Sequence, residues 1–172
     1  MSRISFFILL LVLVGLAVVA YSFLGGFKKI TINEVEDISI EVVGKEVRGS
    51  TQGVDLNKQM YEIRKKLDED KIEGTFTAIF EGNPDELDTI NGFVGVVPKV
   101  SKSIPEGFST KNIKAEKGVI GIMIAHVWVA PNPVEVNNQL MDFAKSKNLS
   151  FQDLIIEQYF ASDSVVTTIL VE

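Results

Sequence analysis

From Ile4 to Leu24 the chain carries no charged side chain. As a helix rising about 1.5 Å per residue, that run is roughly 30 Å long, which matches the hydrocarbon thickness of a bilayer. Arg3 stands on one flank and Lys28 and Lys29 on the other. Such a segment constrains everything after it, because a small soluble core cannot also bury a helix that is apolar all round. The competing reading is a cleaved secretory signal, whose apolar region is about 7 to 15 residues long and ends at a small-x-small site. Here the run is longer and ends in Tyr21-Ser22-Phe23-Leu24, with Ala20-Tyr21-Ser22 a poor cleavage candidate. The reading adopted is a single-pass N-terminal anchor, residues 1–27, contacting the membrane through residues 4–24. Positive charge is balanced across the run, so it does not decide the side of the soluble part.

The remainder holds all 23 acidic side chains and every basic one except Arg3, within a chain of formal net charge −6. Nucleic acid is excluded as a partner, since its affinity rests on phosphate neutralisation by Lys and Arg. The acidic balance favours cations instead. With no cysteine, the chain has no disulfide, thiolate nucleophile or cysteine-ligated metal. His126 is the only histidine, which leaves no His-rich metal site and makes a Ser-His-Asp triad improbable. No metal and no cofactor is expected.

Residues 28–36 read as a linker or an edge strand. Ile38, Ile40 and Val42 alternate with polar neighbours, so Asp37–Val47 reads as a strand with one buried face. A break at Gly49–Gly53 precedes a helix with Asp55 as cap and Leu56, Met60, Ile63 and Leu67 as its apolar stripe. Strands follow at Thr75–Glu81 and Gly92–Val97, separated by the turn Gly82-Asn83-Pro84. Further strands are predicted at Gly107–Ala115 and Val119–Val129. Pro131-Asn132-Pro133 then opens a second helix with Asn132 as cap, Pro133 in its first turn, and Val136, Leu140 and Phe143 buried. Leu154–Phe160 and Val165–Val171 are strands around a turn at Ala161–Ser164. The fold class is therefore α+β: two tandem β-α-β-β repeats, about 37–98 and 107–172, related by a pseudo-twofold axis with a ligand cleft between them, preceded by one transmembrane helix.

The order and spacing of these pieces resemble the GyrI-like family of small-molecule-binding domains, which also serve as effector-binding halves of multidrug-responsive bacterial regulators. The resemblance covers residues 37–172. It is carried by Ile156-Glu157-Gln158-Tyr159-Phe160-Ala161-Ser162-Asp163 with the closing strand Val166-Thr167-Thr168-Ile169-Leu170-Val171, and by Ala78-Ile79-Phe80-Glu81-Gly82-Asn83-Pro84 in the first half. It implies a cleft for flat, apolar, often cationic molecules, with Glu157 as the carboxylate facing the ligand's charge and Tyr159 beside it. Strand alternation independently sets Glu157 and Tyr159 on one face. A glutamate there loses hydration, so its pKa should rise unless a donor or a cation satisfies it; Tyr159 is one such donor. The plainer alternative is a solvent-facing Glu157. Trp128, Phe93 and Tyr61 are candidate aromatic walls; Trp128 reads equally as core or as a cover over the helix end, and aromatics placed like Phe93 and Tyr61 are more often plain core. Trp128 lies in Ala125-His126-Val127-Trp128-Val129-Ala130-Pro131, where family members commonly carry a glycine-containing turn. His126 and Trp128 share a face only if the strand continues that far.

Two function classes stand. The first is non-catalytic: a membrane-anchored domain that binds small hydrophobic compounds, cationic aromatics among them, for sequestration or for sensing on behalf of a protein partner. The 36 residues before Asp37 hold the anchor and a short link, with no helix-turn-helix segment. The second is a hydrolase of reactive electrophilic small molecules, with Glu157 as general base and Tyr159 orienting substrate or donating a proton. A minor alternative is a haem- or tetrapyrrole-binding protein like the SOUL proteins, which share the duplicated architecture; His126 would be its only imidazole.

Overall fold

Helix α1 (Arg3–Phe23) contains the apolar run. Its membrane-length segment Ile4–Phe23 has a mean hydropathy of 2.9, and none of it is buried by the rest of the chain. In the computed structural model, which describes residues 3–50, 54–83, 87–100, 103–126, 129–160 and 164–172, the remaining elements follow the order β1 (Thr31–Ser50), α2 (Val54–Glu69), β2 (Gly74–Glu81), β3 (Thr89–Pro98), β4 (Ser109–Ile124), α3 (Pro133–Ser146), β5 (Phe151–Phe160) and β6 (Ser164–Val171). Strand, helix, strand, strand thus occurs twice. The strands, antiparallel at every junction, close into a ring in the order β1-β3-β2-β5-β6-β4.

Strand alternation gives that ring two faces with different tasks. One face carries the helices. Leu56, Ile63 and Leu67 of α2 pack on Val47, Ala78, Phe80, Ile90, Val94 and Val96. Val136, Leu140 and Ala144 of α3 pack on Val119, Ile155, Ile169 and Val171. Phe143, expected in the α3 stripe, is half-buried at the margin of that cluster. The other face turns inward, where Val42, Ile79, Phe93, Ile113, Ile156 and Leu170 fill the ring with side chains and no helix residue takes part.

The helix ends follow their local chemistry. The Asn132 side chain accepts from the Val134 N–H at 3.1 Å, and Pro133 sits in the first turn, where its missing N–H removes no bond. Asp55 is not the cap of α2. That helix starts at Val54, and Asp55 lies in its first turn, where a carboxylate favours the positive end of the helix dipole. The charged end of α2 is solvated and pairs within itself, Lys66 with Asp70 at 3.0 Å.

Two strands are longer than the sequence pattern suggests. Thr31–Glu36 is the start of β1, paired with β4, and the strand runs on through Gly49 and Ser50. Asp37 interrupts the pattern by taking a left-handed φ of +54°, after which pairing resumes in the same register. Likewise β4 is one strand through Glu116 and Lys117, and it stops at Ile124 rather than Val129. There the chain turns: the Val129 and Ala130 N–H groups both donate to the His126 carbonyl, at 2.9 and 3.0 Å. The strand therefore does not carry His126 onward, and Trp128 lies outside the described residues, as do Pro84 and the turn residues Ala161, Ser162 and Asp163.

The ring closes where β1 passes from its pairing with β4 to its pairing with β3. β1 pairs with β4 over its first part and with β3 over its last, and Gly44 faces Gly95 where the two ladders overlap. A Cβ on Gly95 would collide with the Val43 carbonyl oxygen, so the strands approach closely only because both positions lack side chains. Gly95→Ala is expected to cost about 1–3 kcal/mol through overpacking, read as a lowered urea midpoint with the far-UV spectrum retained.

Candidate functional site

The helices each cover their own part of the outer face and leave a seam between them over β5. Ile155 lies under α3, while Tyr159, four residues on, packs beside the α2 cluster. Between them Glu157 stands opposite Ala78 on β2 and Thr167 on β6. Small neighbours on both sides leave depth above the carboxylate. A concavity of about 740 Å³ lies over this row, with Glu157 and Thr167 in its lining, Tyr159 and Phe160 on the β5 side, and Val136 and Pro133 from α3. Arg64 reaches it from α2. By contrast, a hollow of about 520 Å³ beside Lys66, Asp70 and Glu106 is walled largely by charged and polar groups, so an apolar ligand gains less there.

Glu157 is only 7% exposed. The Tyr159 hydroxyl donates to its Oε2, which answers part of the desolvation cost that a buried carboxylate carries. The same arrangement pushes the Tyr159 phenol well above its ordinary pKa. Burial is the main cause, followed by the adjacent Glu157 charge and the hydrogen bond between them. Tyr159 is fixed in turn by Phe76, whose ring centroid lies 6.0 Å away at a tilt of 48°. The Arg64 guanidinium carbon sits 5.3 Å from the Phe76 centroid, within cation–π range. The site thus offers a desolvated acceptor at its base, an aromatic flank and one cationic group at its edge.

The sequence candidates divide cleanly. Glu157 and Tyr159 come together as alternation requires. Phe93 does not join them: it is 3% exposed and belongs to the inward-facing cluster on the other side of the sheet. Tyr61 is 68% exposed on α2 and is not part of this lining. His126 lies in the turn after β4 and is not part of the lining either.

No protein-family model and no curated protein sequence matches the chain. Solved structures do match its shape. A hydrolase from Listeria innocua superposes with a TM-score of 0.56 at 8% identity, over 84% of this chain and 93% of that one. An integron cassette protein from the mobile metagenome of Vibrio cholerae gives 0.54 at 12%, over 84% and 97%. The C-terminal domain of EcmrR gives 0.53 at 12%, again over 84% and 97%. The fold is the one these solved structures share. Identities this low establish a shared fold and nothing about ligand or reaction.

Thr167 and Arg64 line the same concavity and Phe76 packs against Tyr159 beside it; none of the three was a candidate from the sequence. The available signal was indirect: once β2 and β6 are aligned on β5, Phe76 faces Tyr159 and Thr167 faces Glu157. Tyr159→Phe should destabilise the fold by about 1–3 kcal/mol in urea titration, because the buried carboxylate loses its phenol donor. The pH dependence has a definite sign. Because the phenol's pKa is raised in the folded state, the unfolded chain releases this proton first, and stability falls as pH rises above about 10. That alkaline loss should be smaller in Tyr159→Phe than in the wild type.

Proposed function

We propose that the chain is a membrane-anchored binding module that takes small hydrophobic compounds, cationic aromatics among them, into the seam between its helices. The observation that carries this is the burial of Glu157 beneath a concavity of about 740 Å³ flanked by Tyr159 and Phe160. A desolvated carboxylate gains most from a partner that brings positive charge without much water, and a flat cation also gains from the aromatic flank. The domain boundaries follow the same reading: residues 1–27 as anchor, 28–36 as its junction with the ring, and 37–172 as the binding domain. The ring order is unchanged when β1, β2 and β3 are exchanged with β4, β5 and β6, which supports a pseudo-twofold pair of half-repeats with the cleft at their junction. The length and apolarity of Ile4–Phe23 support the anchor.

A hydrolase is the second reading, supported by a carboxylate and a phenol hydrogen-bonded to each other in one concavity and by the likeness in fold to a hydrolase from Listeria innocua. It assigns Glu157 as base toward a water and Tyr159 to orient substrate. The raised pKa of Tyr159 argues against its serving as a proton donor near neutrality.

The test is a fluorescence titration of the full chain in phosphatidylcholine nanodiscs with cationic and neutral aromatic dyes, with empty nanodiscs as the blank. Micromolar binding of cations is expected, weakened at least tenfold, about 1.4 kcal/mol, by Glu157→Gln. Binding indifferent to that substitution overturns the carboxylate pocket. Turnover of an activated ester, lost in Glu157→Gln, would favour the hydrolase.

A further inference from the structure

The anchor and the concavity share a wall residue. Ala125 lines the concavity at the end of β4. Its Cα also lies 3.2 Å from where a Cβ on Gly25 would stand, and the Ile124 carbonyl oxygen lies 2.9 Å from the same point. Next to it, the His126 N–H donates to the Leu24 carbonyl at 2.9 Å. The chain therefore leaves α1 and is caught at once by the end of the sheet that bounds the concavity. Gly25 permits this with a φ of +86° and no side chain in the gap.

The same point carries the marks of a membrane–water boundary. Tyr21 and Phe27 stack edge-to-face at 4.9 Å where α1 ends, and the exposed Lys28 and Lys29 follow, an order of aromatic then basic side chains that suits a membrane–water interface. Around it, among the described residues, the sheet end bears large apolar groups that stand partly exposed. Ile124 is 50% exposed and pairs with Ser164, which pairs with Phe160, itself 41% exposed and part of the concavity's lining. Val134, in the first turn of α3, is 38% exposed. These three lie at the end of the domain where α1 joins the sheet.

We infer that the concavity opens onto the bilayer surface, with Ile124, Phe160 and Val134 seated in the lipid headgroup layer, so that its ligand arrives from the membrane. This rests on the proposed anchored binding module and adds the ligand's class and orientation. The Glu157–Thr167 row lies three residues along the sheet from the Ile124–Ser164 row, roughly 10 Å further from the anchor's exit at about 3.3 Å per residue. The fitting ligand is an amphiphilic cation of that reach, its charge directed away from the bilayer toward Glu157 and its apolar part at the mouth. Such molecules concentrate in the headgroup layer of membranes.

The absence of cysteine makes the test direct. Single variants Ile124→Cys, Val134→Cys and Phe160→Cys of the full chain carry an environment-sensitive fluorophore, in phosphatidylcholine vesicles containing lipid with a nitroxide quencher near the headgroup. Thr89→Cys, exposed at the far end of β3, is the control, roughly 30 Å along the sheet. The expected result is loss of fluorescence at the three rim positions and none at Thr89. Vesicle-bound protein with unquenched rim positions overturns the inference and leaves the pocket reading to its own titration. Protein that fails to float with the vesicles overturns the anchor and this inference together. A second variant guards against a probe that inserts by itself: with Ile124→Asp and Val134→Asp added, the probe at position 160 should lose its quenching while the chain still floats.

Discussion

Closing six strands into a ring leaves little room inside, and that constraint governs where anything else can bind. The inward side chains of Val42, Ile79, Phe93, Ile113, Ile156 and Leu170 already fill the space. Room for a further group therefore lies on the outer face, where, among the described residues, α2 and α3 leave a concavity between them. Each helix has one apolar stripe and covers one half of the sheet. Neither has a second stripe with which to close the seam, so the gap over β5 follows from helix amphipathicity as much as from any feature of the site.

Placing a glutamate in that gap conflicts with packing. An apolar residue at position 157 would complete the surface between Ile155 and Tyr159, and burying a carboxylate there carries a desolvation cost of several kcal/mol before compensation. Tyr159 compensates in part, and it is held by Phe76, which also lies under Arg64. A chain of contacts thus runs from the rim of α2 to the buried acceptor. Departures of this kind from local packing rules are where function is most often found.

The order of elements was legible because each helix repeats its apolar residues at three- and four-residue steps, and because Asn132 and Pro133 mark a helix start by mechanisms local to the chain. The pairing of Glu157 with Tyr159 was legible for the same reason, since alternation along one strand needs no partner. Strand length was not. Asp37 breaks the alternation through a left-handed backbone that the flanking residues do not signal, and β4 runs through Glu116 and Lys117 because its solvent side tolerates charge. Phe93 could not be placed from the sequence because β3 is apolar on both faces, so no alternation distinguishes inside from outside. Phe76 and Thr167 could not be found at all without register, a long-range property that no window of sequence contains.

The glycine pair at the overlap of β1 and β3 has a meaning beyond packing. A closed ring has no edge along its paired strands, and so offers no row of free N–H and C=O groups to another chain. That protection depends on Gly44 and Gly95 letting two backbones meet. Were that contact to open, β1 and β3 would each present an unpaired edge. If α1 anchors the chain as proposed, neighbouring copies would meet those edges in two dimensions, at a density that dilution of the surrounding water cannot lower. The two glycines thus guard against self-association as well as completing the fold.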